Sequence, residues 1–207
     1  MVHRVRARLL AAALLAGLAL AGALPGVVAA DSGVTVVASG LNNPRGLAFG
    51  PNGRLYVVEA GTGGPGPCFV NSEGSTVCLG PTGSIAKIGH GTFTRVVTGL
   101  PSVAGPDGSG AAGPHKLSFG RDGAAYLTIG LSGNPDGRAT LGAGGRLLGT
   151  LARVDLRHGW AWKLADLARF EERKNPDGAD PGSSVDSNPY GVLASGRGVY
   201  TTDAGGN

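Results

Sequence analysis

The chain has 207 residues, 18 of them basic and 14 acidic, with 39 glycines and two cysteines. The glycines follow no collagen period, and the basic residues form no stripe of the kind that binds nucleic acid. They sit instead at the ends of short apolar runs, as expected of a fold with many tight turns.

Arg4, Arg6 and Arg8 precede an apolar run from Leu9 to Leu24, broken by Pro25-Gly26 and followed by the small residues Val28-Ala29-Ala30. This pattern predicts a secretory signal peptide over 1–30 with cleavage after Ala30. The run is short for a membrane span, so no span is expected once the signal is removed. Arg4 and Arg6 are not adjacent, which argues against a twin-arginine signal, and no cysteine follows the run to carry a lipid. Residues 31–207 then hold 15 basic and 14 acidic side chains, so the high isoelectric point says little about partners.

Val34 to Leu41 is β-branched and reads as a strand, the natural closing strand for the last sheet of a circular array. After it comes a phrase that recurs three times. Pro44-Arg45-Gly46-Leu47-Ala48-Phe49 leads through Asn52-Gly53 to Leu55-Tyr56-Val57-Val58-Glu59. Pro114-His115-Lys116-Leu117-Ser118-Phe119 leads through Asp122-Gly123 to Ala125-Tyr126-Leu127-Thr128-Ile129. Pro189-Tyr190-Gly191-Val192-Leu193-Ala194 leads through Gly196-Arg197-Gly198 to Val199-Tyr200-Thr201-Thr202-Asp203. Each copy is a hairpin, and Asn-Gly or Asp-Gly predicts a two-residue turn with both central residues at positive φ.

Cys68 and Cys78 lie in the loop after the first copy and, in an exported protein, are expected to form one disulfide, two free thiols being the alternative. A second kind of hairpin follows, Ser84 to Ile88 and Thr92 to Val97 around Gly89-His90-Gly91, and Thr150 to Val154 echoes its first strand. Trp160, Leu164, Leu167 and Phe170 stand at helical spacing ahead of Pro176, which predicts an amphipathic helix over 160–175, a brace or a lid. The copies are spaced 70 and 75 residues apart, with the excess over a plain unit in the cysteine loop, Ser102 to Gly113 and Asn134 to Gly145.

Four-stranded units in series predict an all-β protein: a β-propeller of four-stranded blades, with one short inserted helix. Residues 31–207 make up a single domain of about two and a half blades, fewer than the four or so that close a ring, so the chain is expected to be part of a longer protein.

Aligning the copies puts Arg45, His115 and Tyr190 at one position and Glu59, Ile129 and Asp203 at another. Arg45, Glu59, His115, Tyr190 and Asp203 are therefore the candidate ligand-binding residues around a channel mouth, with packing between neighbouring units as the structural alternative. His115 is the one side chain there able to act as a base near neutral pH. Asp177, Asp180 and Asp186, with Asn188, crowd one Gly/Pro-rich loop and are the metal candidates, although such residues also simply form turns. Gly61-Thr62-Gly63-Gly64-Pro65-Gly66 matches G-x-G-x-x-G, but no helix follows and Pro65 intrudes, so it is set aside as a phosphate site.

Asn43-Pro44-Arg45-Gly46-Leu47-Ala48-Phe49-Gly50, Gly80-Pro81-Thr82-Gly83, Gly113-Pro114-His115, Leu127-Thr128-Ile129-Gly130-Leu131, Asp186-Ser187-Asn188-Pro189-Tyr190-Gly191 and Val199-Tyr200-Thr201-Thr202-Asp203-Ala204-Gly205-Gly206-Asn207 together resemble the ScyD/ScyE family. The resemblance runs along essentially all of 31–207. It implies an exported β-propeller, loosely similar to NHL-type and sugar-dehydrogenase-type propellers, and carries over no catalytic residue. The leading expectation is a secreted or periplasmic protein binding a small molecule or an envelope or extracellular partner on its channel face. The alternative is a sugar- or lactone-type oxidoreductase or hydrolase using a metal or quinone in the channel, and a third reading is a structural module of the cell envelope.

Overall fold

The computed structural model describes residues 34–89, 91–176, 178 and 185–206. The fold lies in the unit that runs from Val36 onward. It is mostly β, built from three antiparallel sheets that do not close on one another. The first sheet orders β1 (Pro44–Phe49), β2 (Leu55–Glu59), β4 (Thr76–Gly89) and β3 (Cys68–Val70), with β5 (Thr92–Ala104) also paired to β4. The second runs β6 (Pro114–Phe119), β7 (Ala125–Ile129), β8 (Thr150–Asp155), β9 (Trp160–Asp166) in sequence order. The third holds β10 (Pro189–Ser195) and β11 (Gly198–Asp203).

The repeated phrase gives the same hydrogen bonds each time. The amide of Ala60 donates to Asn43 O at 3.0 Å, that of Gly130 to Gly113 O at 2.7 Å and that of Ala204 to Asn188 O at 3.0 Å, closing each hairpin beside its proline. The first two turns also agree, but not with the expected two-residue form. β1 and β2 are joined by residues 50–54, and Gly53 has positive φ while Asn52 does not. Pro51, with its fixed negative φ, suits the second position of a type I turn, and Gly53 takes the left-handed residue that follows.

Sheets one and two share one core. Val58, Ile85 and Val97 pack with Leu117, Leu127, Ile129 and Val154, all of them buried. Their first strands lie side by side, since a Cβ at Gly46 would stand 2.6 Å from His115 O. At the other end of β6 the Phe119 ring meets that of Tyr56 on β2 at 5.5 Å between centroids. Between sheets two and three, Ala194 N donates to Ser118 Oγ (2.9 Å) and the Thr128 hydroxyl to Tyr190 O (2.7 Å).

Three further expectations are corrected. Residues 34–41 are in no strand: β-branched composition makes an extended segment cheap, but a strand also needs a ladder partner, and these residues pair with none of the described strands. Trp160 to Asp166 is strand β9 rather than the start of a helix, and the helix is only α2 (Leu167–Lys174), capped by Asp166 accepting from Arg169 N. Alternation on a strand also separates Trp160, Trp162 and Leu164 by two, and pairing with β8 decided between the two periods. The stretch 134–145, read from sequence as loop, contains α1 (Pro135–Thr140) and a 3-10 turn at Gly142–Gly145, so the described residues hold two inserted α-helices and not one. Asn134 caps α1 by accepting from Asp136 N, with Pro135 at its first position.

Cys68 and Cys78 form the disulfide expected. They sit directly opposite on β3 and β4, so much of the expected loop is an extension of the sheet. Replacing both by Ser is expected to cost about 2–3 kcal/mol, the entropy regained by a short open loop, measured as a drop in urea midpoint. A change below about 0.5 kcal/mol would mean that strand pairing alone holds the hairpin.

Candidate functional site

Antiparallel succession sorts the connections onto two ends. At one end lie the connecting residues 50–54, 91, 120–124, 156–159 and 196–197. At the other lie 60–75, 105–113, 130–149, 167–176 and 185–188, which carry the disulfide hairpin, α1 and α2. Long loops on a rigid sheet scaffold are where binding groups are usually displayed. Arg45, His115 and Tyr190 stand at this end, each second in its strand.

A feature that the sequence did not reveal recurs at those three positions. Pro44 pairs with Glu59 and Leu47 with Val57, so β1 carries one extra residue at Arg45-Gly46. Pro114 pairs with Ile129 and Lys116 with Thr128, making His115 the extra residue. Pro189 pairs with Asp203 and Gly191 with Thr202, which singles out Tyr190. Each is a β-bulge, which turns a side chain out of the regular alternation and is common beside functional sites.

His115 is 3% exposed. Its Nδ1 lies 3.2 Å from Pro189 O, so Nδ1 carries the proton and Nε2 is the nitrogen with a free lone pair. The Tyr190 ring, on a residue 44% exposed, tilts across the imidazole at 4.8 Å. Arg45 is exposed, and its Nη2 donates to Ala111 O at 2.7 Å. Asn188 Oδ1 is buried next to Gly130 beside the imidazole and has no hydrogen-bond partner among the described residues. Burial, helped by the nearby Arg45 charge and opposed by the Pro189 bond, lowers the His115 pKa to about 4. His115 is therefore neutral at pH 7: an acceptor, and a weaker base than an ordinary histidine.

The lowered value makes stability depend on pH. The unfolded imidazole titrates near 6.5 and the folded one near 4, so the folded chain binds fewer protons between those values and stability falls as pH is lowered through the window. The loss should approach about 3 kcal/mol by pH 4, read from denaturant midpoints, and His115→Gln should flatten that slope. Finding the His115 Cε1 resonance titrating near 6.5 would refute it.

The two carboxylates of the expected ring are occupied by the chain itself. Glu59, fully buried, accepts from Asn42 N (2.6 Å), Ser84 Oγ (2.6 Å) and both arms of Arg95 (2.9 and 2.8 Å). Burial raises its pKa, but these bonds and the Arg95 charge outweigh it and leave the carboxyl below its ordinary value. Asp203 accepts from Ser187 Oγ (2.8 Å) and from the amides of Asn188 (2.5 Å) and Gly205 (3.0 Å). Both fix the segment that leads into the first strand of their own hairpin. In the middle copy Ile129 is buried in the core instead. Of the metal candidates, Asp177 and Asp180 lie outside the described residues, and Asp186 is half-buried, its backbone against Gly205.

The same end holds a cavity of about 580 Å³ between α1, β9 and α2, lined by Arg138, Arg146, Lys163, Asp166, Arg169 and Glu172 among others. Asp166 ties its floor, accepting from Arg138 (2.7 Å) and Lys163 (2.9 Å). Burial opposes ionisation there, and Arg138, Lys163 and the α2 cap hold the carboxyl below its usual range. These residues are scattered over α1, the segment that follows it, β9 and α2, so no local pattern could have announced them.

No family model matches the chain, and no curated protein does. Among solved structures, the crystal structure of an oxidoreductase from Thermus thermophilus, described as a glucose dehydrogenase, aligns with a TM-score of 0.32 at 18% identity. The alignment covers 76% of this chain and 56% of that one, so the chain spans little more than half the neighbour's length.

Proposed function

We propose that this is an exported β-propeller protein of the ScyD/ScyE type that binds a small molecule or an envelope component at the end of its sheets bearing Arg45, His115 and Tyr190. The three sheets are its blades and β1, β6 and β10 their channel-side strands, about two and a half blades in all. The observation that carries the reading is the recurrence of a bulge at the same place in all three hairpins, at the end that also collects the long connections. The Cys68–Cys78 disulfide accords with an oxidising compartment and so with export.

The test is a binding screen of the chain against immobilised glycans and small carbohydrates, repeated with Tyr190→Ala, Arg45→Gln and, as a control at the short-turn end, Arg197→Gln. A genuine ligand should bind at least about tenfold more weakly to the Tyr190 variant and equally to the Arg197 variant. Ligands indifferent to both mouth substitutions would sink the proposal. Turnover of a bound sugar or lactone, with or without an added electron acceptor, would move the reading to the oxidoreductase or hydrolase alternative.

A further inference from the structure

The cavity between α1, β9 and α2 has a charge imbalance at its floor. There one carboxylate serves two cations: Asp166 Oδ1 accepts from Arg138 Nη1 at 2.7 Å and Oδ2 from Lys163 Nζ at 2.9 Å. The Arg138 and Asp166 side chains are only 15% and 16% exposed. A cation largely withdrawn from water and only partly neutralised favours a further counter-ion. The floor is also held in place. Arg138 Nη1 donates to Leu148 O as well (3.0 Å), so Nη1 is spent, and no acceptor among the described residues meets Nε or Nη2. Those two groups form a fork that suits an oxyanion, and fixing Nη1 in advance spares the fork much of the ordering cost of binding. Lys163 has one described acceptor for three donors.

The walls do not cancel this excess. Arg146 and Arg169 line the cavity and form no ion pair among the described residues. Asp136 and Glu172 match them in number, and both are exposed. Pro135, Ala139 and Leu147 add apolar surface, and about 580 Å³ is far more than a bare inorganic ion fills.

We infer that this cavity is a binding site for a small organic oxyanion, its carboxylate or phosphate head seated on the Arg138 fork and Lys163 and its organic body against Pro135, Ala139 and Leu147. The site shares no residue with the mouth and does not rest on the reading above.

The probes are glucose 6-phosphate, glucuronate and glucose, one ring carrying a phosphate, a carboxylate or a hydroxyl at the same carbon. Each is titrated into the chain while the Arg138 Nε–H resonance is followed by NMR. At least one of the two anions should move that resonance and bind at least about tenfold more tightly than glucose, with affinity falling as salt is raised. The tighter of the two identifies the head group. Arg138→Gln should abolish the preference for the anion. Because Arg138 also braces Asp166, Lys163→Gln is the second variant: with its side chain 47% exposed it should keep the wild-type melting temperature and still bind the anion at least about threefold more weakly. Arg45→Gln at the mouth should change nothing. Anions that bind no better than glucose, or that leave the Arg138 resonance unmoved, would overturn the inference and reduce Arg138, Asp166 and Lys163 to a brace between α1 and β9. Anion binding that is lost on Arg45→Gln and kept in the Lys163 variant would also overturn it, and would count in favour of the mouth.

Discussion

Replacing Arg95 by Met should cost about 3–5 kcal/mol at pH 7, the range for leaving a buried charge without its partner. Glu59 is wholly buried while Arg95 is 33% exposed, so the carboxylate is the member that cannot turn to water. Ser84 and Asn42 still donate to it, which places the expected loss toward the lower figure. The pH dependence identifies the cause. In the native chain the Glu59 pKa is below 4.5, so its contribution is complete above that value and fades as pH falls through the folded pKa. Without Arg95, burial dominates and the carboxyl takes up a proton more readily, so the deficit of the variant should shrink as pH drops. Urea midpoints of both proteins at pH 7 and pH 4.5 decide it. A deficit that is constant across that range would assign the loss to packing of Arg95 on the Phe93 ring, 5.0 Å away, and not to the ion pair.

Phe69→Ala should produce a loss of similar size, about 3–5 kcal/mol, the usual result of emptying a buried aromatic site. Phe69 is 9% exposed, although its neighbours Cys68 and Val70 on β3 face solvent. Its ring lies on two glycines of the loop after β7: a Cβ at either Gly133 or Gly137 would stand 2.7 Å from it. The contact joins the disulfide hairpin of the first sheet to the α1 loop of the second, with Ser72 N donating to Ser132 O (3.2 Å) beside it. Amide exchange over 60–75 should accelerate in the variant more than exchange in β7 or β8, because the hairpin loses its buried aromatic ring while the shared core keeps its own side chains. A stability loss under about 1 kcal/mol would mean that the disulfide and Ser72 suffice to dock the hairpin.

The two outcomes bear on the candidate site differently. Glu59 holds the segment before β1 and thereby Arg45, whereas Phe69 holds a loop that borders the same end without touching His115. Loss of ligand binding in the Arg95 variant, with binding retained in the Phe69 variant, is the pattern expected if the mouth is set by the strands and not by the hairpin above it.

The sequence by itself determined the repeating hairpins, their order and the disulfide. Each of these follows from local chemistry: a glycine at the turn, apolar residues in the strands, two cysteines ten residues apart. It also aligned Arg45, His115 and Tyr190, because equal positions in a repeat occupy equal positions in space. The tertiary structure decided what those positions do. Trp160 to Asp166 became a strand because β8 presented an unpaired edge, and no periodicity within the segment could have told it from a helix turn. The same kind of non-local choice separated the expected ring into two groups. Arg45, His115 and Tyr190 fall on bulges at one end of three adjacent strands, and Glu59 and Asp203 are drawn into hydrogen bonds with the segments leading into those strands. Local sequence sets which backbone shapes are cheap; which polar groups are left over for a ligand depends on distant partners, such as Pro189 for His115, 74 residues away, and only the folded chain brings them together.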